Sequence, residues 1–218
     1  MQNSHIIGGE FGINLQGFQY AQSNNGFLEG IYKYSSGRSA LYYILLDVQK
    51  RYGITTAYLP NYLCSSVVVA AEKSQVKVVF YNLNDQLEID IEKFPLDDNE
   101  KAAVLLINYF GLKSLQLQVE LVRSISMEAI VIEDDVQAFY EFCKPELAAD
   151  YKFTSLRKTF ACPDGGLVKT AKQLTVVTEV NKFHQFKLAG CILKSLHKPK
   201  YYDDDVLSLI HISEPTRP

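Results

Sequence analysis

Three short segments of the chain carry residue types that could do chemistry together. Ser36-Gly37-Arg38-Ser39-Ala40 stands where a helix should begin. Free backbone N–H groups and the helix dipole make such a start a seat for phosphate, and Gly37 would let the anion approach closely. Val131-Ile132-Glu133-Asp134-Asp135-Val136-Gln137 closes an apolar run with carboxylates. An acid at the carboxyl end of a buried strand needs a partner. A protonated pyridine nitrogen would be one, held cationic so that the ring draws electrons. Ser155-Leu156-Arg157-Lys158 precedes Pro163-Asp164-Gly165-Gly166. A lysine on a fixed loop can attack an aldehyde, and desolvation and neighbouring cations expose its nucleophilic amine; Ser155 and Arg157 could bind phosphate oxygens. Each segment also has a plainer reading: a capped helix, an acidic loop in which Asp134 or Asp135 caps the next helix, and an exposed basic loop.

These segments need elements to hold them. In SGRSALYYILLDVQKRYG, Leu41, Ile44, Leu45 and Val48 fall at helical spacing, with Ser36 as cap and Gly53 as terminator. TTAYLP is a strand candidate, Cys64 to Lys73 a helix, and VKVVFYNL (Val76 to Leu83) a strand rich in β-branched and aromatic residues. Residues 84–101 are polar and acidic around Pro95. AAVLLINYF (Ala102 to Phe110) and AIVIED (Ala129 to Asp134) are continuous apolar strands; between them Gly111 turns the chain and Ser114 is the expected cap of the helix LQLQVELVRSI. GGLVKT (Gly165 to Thr170) and LTVVTEV (Leu174 to Val180) are further strand candidates. Strands that are apolar throughout and alternate with helices predict an α/β fold with a parallel sheet. Ligands in such sheets sit at the carboxyl ends of strands, here after Leu59, Phe110 and Ile132. Residues 1–35, rich in Gly, Asn, Gln and Ser, read as an irregular arm.

Composition narrows the function. Of 218 residues, 47% are hydrophobic and 22% charged, enough for one sizeable core. A net charge of −3 offers no basic field for nucleic acid or an anionic membrane, and no apolar run is long enough to span a bilayer. The start, MQNSHIIGGEFG, lacks the layout of a signal peptide. Cys64, Cys143, Cys162 and Cys191 are scattered, as free thiols of a cytoplasmic protein would be. His5, His184 and His197 show no metal-ligand spacing. The segment Leu207 to Arg217, LSLIHISEPTR, looks like a translated sequencing adapter, so residues 207–218 are set aside and the genuine sequence is expected to stop near Val206, short of the protein's end.

The order of the three segments brings a family into view. From about Ser36 to Val168 the chain resembles the DegT/StrS family of pyridoxal-phosphate (PLP) sugar aminotransferases, in SGRSAL, LPNYLCSSV, VVFYNL, INYFG, VIEDDVQAF and SLRKTFACPDGG. The resemblance implies the PLP-dependent transferase fold type I: an α/β large domain, incomplete over residues 36–206, with a mainly parallel seven-stranded sheet between helices and the small C-terminal domain absent. It implies PLP as cofactor, Lys158 as the catalytic lysine that carries it, and Asp134 on the pyridine nitrogen. Gln137 falls near the cofactor hydroxyl, and Gly37, Arg38 and Ser39 fall on the phosphate turn. Lys158 stands seven residues before Gly165, the family's spacing. Two positions depart from the pattern. Phe153 stands where a serine is frequent, with Ser155 echoing other type I enzymes. Cys64 occupies the slot of the ring-stacking aromatic, leaving Tyr62 to stack.

The reaction implied moves an amino group from glutamate to a keto-sugar, nucleotide-linked, in polysaccharide or glycan synthesis. A homodimer is implied, in which the neighbouring subunit completes the site. Two alternatives stay open: a sugar dehydratase of the same fold, although such relatives carry histidine where Lys158 stands, and a non-catalytic PLP-fold binding or regulatory protein. A fragment of this kind is expected to fold poorly and to show no turnover by itself, because apolar faces meant for missing elements stay exposed.

Overall fold

The structure is a computed structural model and describes residues 30–160, 162–175 and 184–196. The arm ahead of residue 30, most of the Leu174–Val180 strand candidate and the tail lie outside the described residues. In chain order the elements are β1 (Tyr32–Tyr34), α1 (Gly37–Tyr52), β2 (Thr56–Pro60), α2 (Ser65–Lys73), β3 (Lys77–Tyr81), β4 (Ala103–Ile107), α3 (Gln116–Ile125), β5 (Ile130–Asp134), α4 (Phe139–Cys143), β6 (Tyr151–Ser155), β7 (Gly166–Lys169) and α5 (His184–Leu196). The strands form one seven-stranded sheet in the order β1-β7-β6-β5-β4-β2-β3. Strand β7 runs antiparallel to both of its neighbours, and every other pairing is parallel.

Helices cover both faces, which is why β4 is apolar at every position and β5 over its first three. On one face Ala57, Leu59, Leu105, Ile132, Tyr151, Phe153 and Val168 pack with Leu41, Ile44, Leu45 and Val48 of α1 and with Val67, Ala70 and Ala71 of α2. On the other, Tyr58, Val104, Leu106 and Val131 meet Val119 and Val122 of α3. Helix α1 starts as its sequence predicts: Ser36 is extended and its Oγ accepts from Ser39 N at 3.1 Å. It ends at Gly53, whose φ of 68° suits glycine and whose N–H bonds back to Gln49 O. Asp47, buried mid-helix, is held by Tyr151 Oη (2.7 Å) and by Thr175 N (2.8 Å). Burial would raise its pKa, but the hydrogen bonds from Thr175, Tyr151 and Arg51 win and hold the carboxyl below its ordinary value.

Several expectations need correction. The end of the supposed irregular arm is β1, tied to the sheet by Tyr32, Lys33 and Tyr34 opposite Val168, Leu167 and Gly166. Strand β6 was not expected from its sequence, YKFTS, because it mixes polar with apolar residues; Lys152, Thr154 and Ser155 are nevertheless buried, and Thr154 Oγ1 donates to Asp135 O at 2.9 Å. Ser114 does not cap α3. Leu115 is at the cap, and Ser114 Oγ only accepts from Gln116 N, one position early, at 3.3 Å. Nor does Asp134 or Asp135 cap α4, whose cap residue is Ala138. Among the described residues, no helix is long and apolar enough to cross a membrane.

The pair Gly165-Gly166 locks the fold around the start of α1. Gly165 N donates to Ser35 O at 3.0 Å, and Leu156 N donates to Gly165 O at 2.9 Å. A methyl on Gly166 would fall inside the Ser36 carbonyl, a backbone group that cannot step aside. Gly166→Ala is therefore expected to destabilise the chain by about 3 kcal/mol, the upper end for forced overpacking. A fall in the urea midpoint with an unchanged slope would show it.

Candidate functional site

The parallel strands β2, β4, β5 and β6 end along one edge, at Pro60, Ile107, Asp134 and Ser155. The N-terminus of α1 packs against this edge. A Cβ on Gly37 would lie 3.1 Å from Ser155 Cβ and 3.4 Å from Val136 Cγ2. The smallness of Gly37 thus brings α1, the end of β6 and the turn after β5 into contact. Ser39 is committed to the cap: its N–H goes to Ser36 Oγ, and its Oγ lies 2.9 Å from Ser35 Oγ and 3.0 Å from Ser36 Oγ. Ala40 N makes the first intrahelical bond, to Ser36 O, so the N–H groups of Gly37 and Arg38 are the ones the helix does not use.

Asp134 closes β5 and is 6% exposed. Among the described residues its carboxylate accepts one hydrogen bond, from Val136 N to Oδ1 at 2.9 Å. Burial pushes its pKa up to about 7, against the pull of that one bond. A buried carboxylate so poorly served is a receptor for a cationic or proton-sharing partner. Tyr109 lies nearby, its phenol pushed up first by burial and then by the Asp134 charge. The Tyr109 hydroxyl donates to Tyr62 O, and the two rings stand 5.7 Å apart at 30°. Tyr62 itself is 60% exposed on the rim.

Cys64 is exposed at the N-terminal end of α2 and accepts from Ser66 Oγ at 3.2 Å. The Ser66 hydroxyl and N–H hold the thiol below its ordinary pKa, and the charges of Lys158 and Arg38 reach it and add to the effect. Lys158, Arg38 and Cys64 therefore share one neighbourhood. Lys158 ends a short 3₁₀ turn, Leu156–Lys158, directly after β6. Its side chain is exposed in this chain. Gln137 is also exposed, on the turn after Asp134, with its carbonyl beside Gly111. Phe153, 2% exposed, points into the α1 core, while Ser155 reaches the α1 terminus. Gly37, Arg38, Tyr62, Cys64, Asp134, Ser155 and Lys158 thus lie on one edge of the sheet.

The sequence reading missed Asn108. It follows β4, is 1% exposed, and its N–H donates to Asp134 O at 3.0 Å. Its Nδ2 is buried with no partner among the described residues. The available signal was a polar residue closing the run AVLLI.

The raised Asp134 pKa sets a pH dependence. The folded chain keeps a proton that the unfolded chain sheds, so this group's contribution to stability falls as pH climbs from 3.8 to about 7. The loss amounts to up to about 4 kcal/mol. Asp134→Asn should flatten that limb in urea titrations across pH. An unchanged slope would count against the burial argument.

Comparison with known proteins adds the fold. No family model and no curated protein matches the chain. Solved structures do. The aminotransferase TlmJ from Streptoalloteichus hindustanus aligns at TM-score 0.56 and 18% identity, over 68% of this chain and 44% of that one. A DegT DnrJ EryC1 StrS aminotransferase from Brucella abortus aligns at 0.52 and 14%, over 74% and 48%. GDP-4-keto-6-deoxymannose-3-dehydratase (ColD), a mutant with bound GDP-perosamine, aligns at 0.56 and 16%, over 80% and 54%. The chain spans about half the length of these structures. Its fold is the mixed α/β, mostly parallel seven-stranded architecture of fold-type-I PLP aminotransferases.

Proposed function

We propose that this chain is the cofactor-binding part of a PLP-dependent aminotransferase acting on sugars. It would move an amino group from glutamate to a keto-sugar, nucleotide-linked, in polysaccharide or glycan synthesis. The observation that carries the reading is Asp134: a buried, under-bonded carboxylate at the carboxyl end of β5, on the edge that also presents Lys158 and the start of α1. Solved structures of the same fold support it, among them a complex of NtdA from Bacillus subtilis with PMP.

The residues present fit the cofactor. Gly37 and Arg38 N–H groups, at a helix terminus, with Ser155 against them, suit a phosphate. Asp134 suits a protonated ring nitrogen, which would draw its pKa back down. Asn108 Nδ2 is a donor in the same neighbourhood, and Gln137 would lie near the ring hydroxyl. Tyr62 and Cys64 stand on the rim for the ring face. When bound, PLP supplies an aldehyde and an electron-withdrawing ring. Lys158 Nζ would hold the cofactor, and as a free amine it would be the base and acid that moves the proton at the α-carbon of an amino donor. Its exposure in this chain gives the partner subunit of a homodimer a role: excluding water from that amine.

A sugar dehydratase is the second reading, favoured by the likeness to ColD. Incubation of the protein that contains this chain with PLP, glutamate and a nucleotide-linked keto-sugar separates them. The proposal expects an amino-sugar and 2-oxoglutarate in equal amounts. A deoxy-sugar formed without amino transfer would establish the dehydratase instead.

A further inference from the structure

Behind Asp134, on the face of the sheet away from α1, three ionisable side chains are buried together. They are Glu133 on β5 (3% exposed), Lys152 on β6 (5%) and Asp135 in the turn after β5 (0%). Lys152 Nζ lies 3.3 Å from Glu133 Oε2 and 3.7 Å from Asp135 Oδ2. One ammonium thus faces two carboxyls. Neither Asp135 oxygen has a hydrogen-bond donor among the described residues, although the Glu133 carboxyl is within hydrogen-bonding reach. The Asp135 backbone is already engaged: its N–H donates to Phe153 O (2.9 Å), and its carbonyl accepts from Ala138 N (3.0 Å) and Thr154 Oγ1 (2.9 Å).

The remaining groups nearby do not supply the missing donor. Lys169 on β7 directs its Nζ to Phe142 O (2.8 Å) and Lys144 O (2.7 Å), and Lys144 pairs with Glu141 (2.7 Å); their charges reach Asp135 and Glu133 respectively, but neither donates a hydrogen bond to the pair. Cys143 on α4 and Asp134 both feel or exert the Asp135 charge, and neither is a cation. Two ionised carboxylates with one ammonium in direct contact would leave two buried acceptors facing each other, one of them with no donor among the described residues. One proton between them supplies the missing donor.

We infer that Glu133 and Asp135 share a proton above Lys152, and that this proton makes Asp135 a positioning residue for the turn that presents Asp134 and Gln137. Burial and the Glu133 charge push Asp135 up to about 8, against the pull of Lys152. When the proton leaves, an uncompensated charge sits at the base of the Asp135–Ala138 turn, which must open to hydrate it. Val136 N, the donor to Asp134 Oδ1, moves with that turn. The folded state holds a proton the unfolded chain has shed, so stability falls as pH rises from the ordinary carboxylate range through about 8. The last step, weaker cofactor binding at alkaline pH, rests on the PLP reading; the shared proton does not.

Infrared spectroscopy of the cofactor-free chain tests the proton. At pH 6 the Asp134→Asn variant, free of the Asp134 contribution, should keep the carbonyl stretch of one protonated acid, and the band should fade as pH passes about 8. Adding Asp135→Asn or Glu133→Gln should remove it, since either leaves one carboxylate paired with Lys152. Absence of the band, or its survival in both double variants, overturns the inference. PLP affinity tests the positioning role. Between pH 8 and 9 wild type should weaken about fivefold more than Asp135→Asn, since the protonated fraction falls from about one half to about one eleventh across an ionisation near 8. Equal pH dependence in wild type, Asp135→Asn and Glu133→Gln overturns that role. A chain that binds no PLP at any pH counts against the proposed function, while the infrared band still decides the proton.

Discussion

Lys158→Ala is expected to abolish covalent attachment of PLP and to slow the reaction with glutamate by about 10⁴-fold, the upper range for loss of a positioned acid–base group. Among the described residues of this edge Lys158 carries the primary amine, whereas Arg38 and Arg157 carry guanidinium groups. Lysine 158 is exposed at the end of a 3₁₀ turn, so its truncation removes no core contact and should leave the fold intact by circular dichroism. Reversible PLP binding should survive in part, because the α1 terminus and Asp134 remain. Stopped-flow absorbance in the protein that contains this chain measures the rate. A Lys158→Ala protein that reacts within tenfold of wild type would remove Lys158 from the mechanism.

Asp134→Asn is expected to weaken PLP binding about 100-fold, the worth of a charge-assisted hydrogen bond between buried partners. The cofactor-free chain should respond in the opposite sense. Asp134 is ionised at a cost there, since burial raises it to about 7, so the amide should be tolerated or stabilising near neutral pH. Tighter folding with weaker cofactor binding in one variant is the signature of a residue kept for a ligand. Fluorescence titration with PLP beside urea unfolding at pH 7.5 gives both numbers. Equal PLP affinity in the two proteins would contradict the role.

Much of the architecture was legible because physical necessity writes it in residue type. AVLLI, and the IVI that opens β5, are continuously apolar because helices cover both faces of the sheet. Asp134 stood out because an acid ending such a run must answer for its burial. Other features were hidden for equally physical reasons. Strand β6 carries Lys152 and Thr154, whose burial is made tolerable by Glu133, Asp135 and the Asp135 carbonyl, partners that no local pattern reveals. Strand β1 is three residues long and is held by β7, more than a hundred positions away. Gly37 and Gly166 were visible as glycines, but what they make room for, Ser155 and the Ser36 carbonyl, is set by tertiary packing. The exposure of Lys158 likewise depends on what covers the edge.

The most direct measurement reduces the PLP-loaded protein with borohydride, digests it and locates the added phosphopyridoxyl mass. The account predicts that mass on Lys158. Its appearance instead on Lys187, which pairs with Asp164 at 3.5 Å, or on Lys182, outside the described residues, would contradict the account.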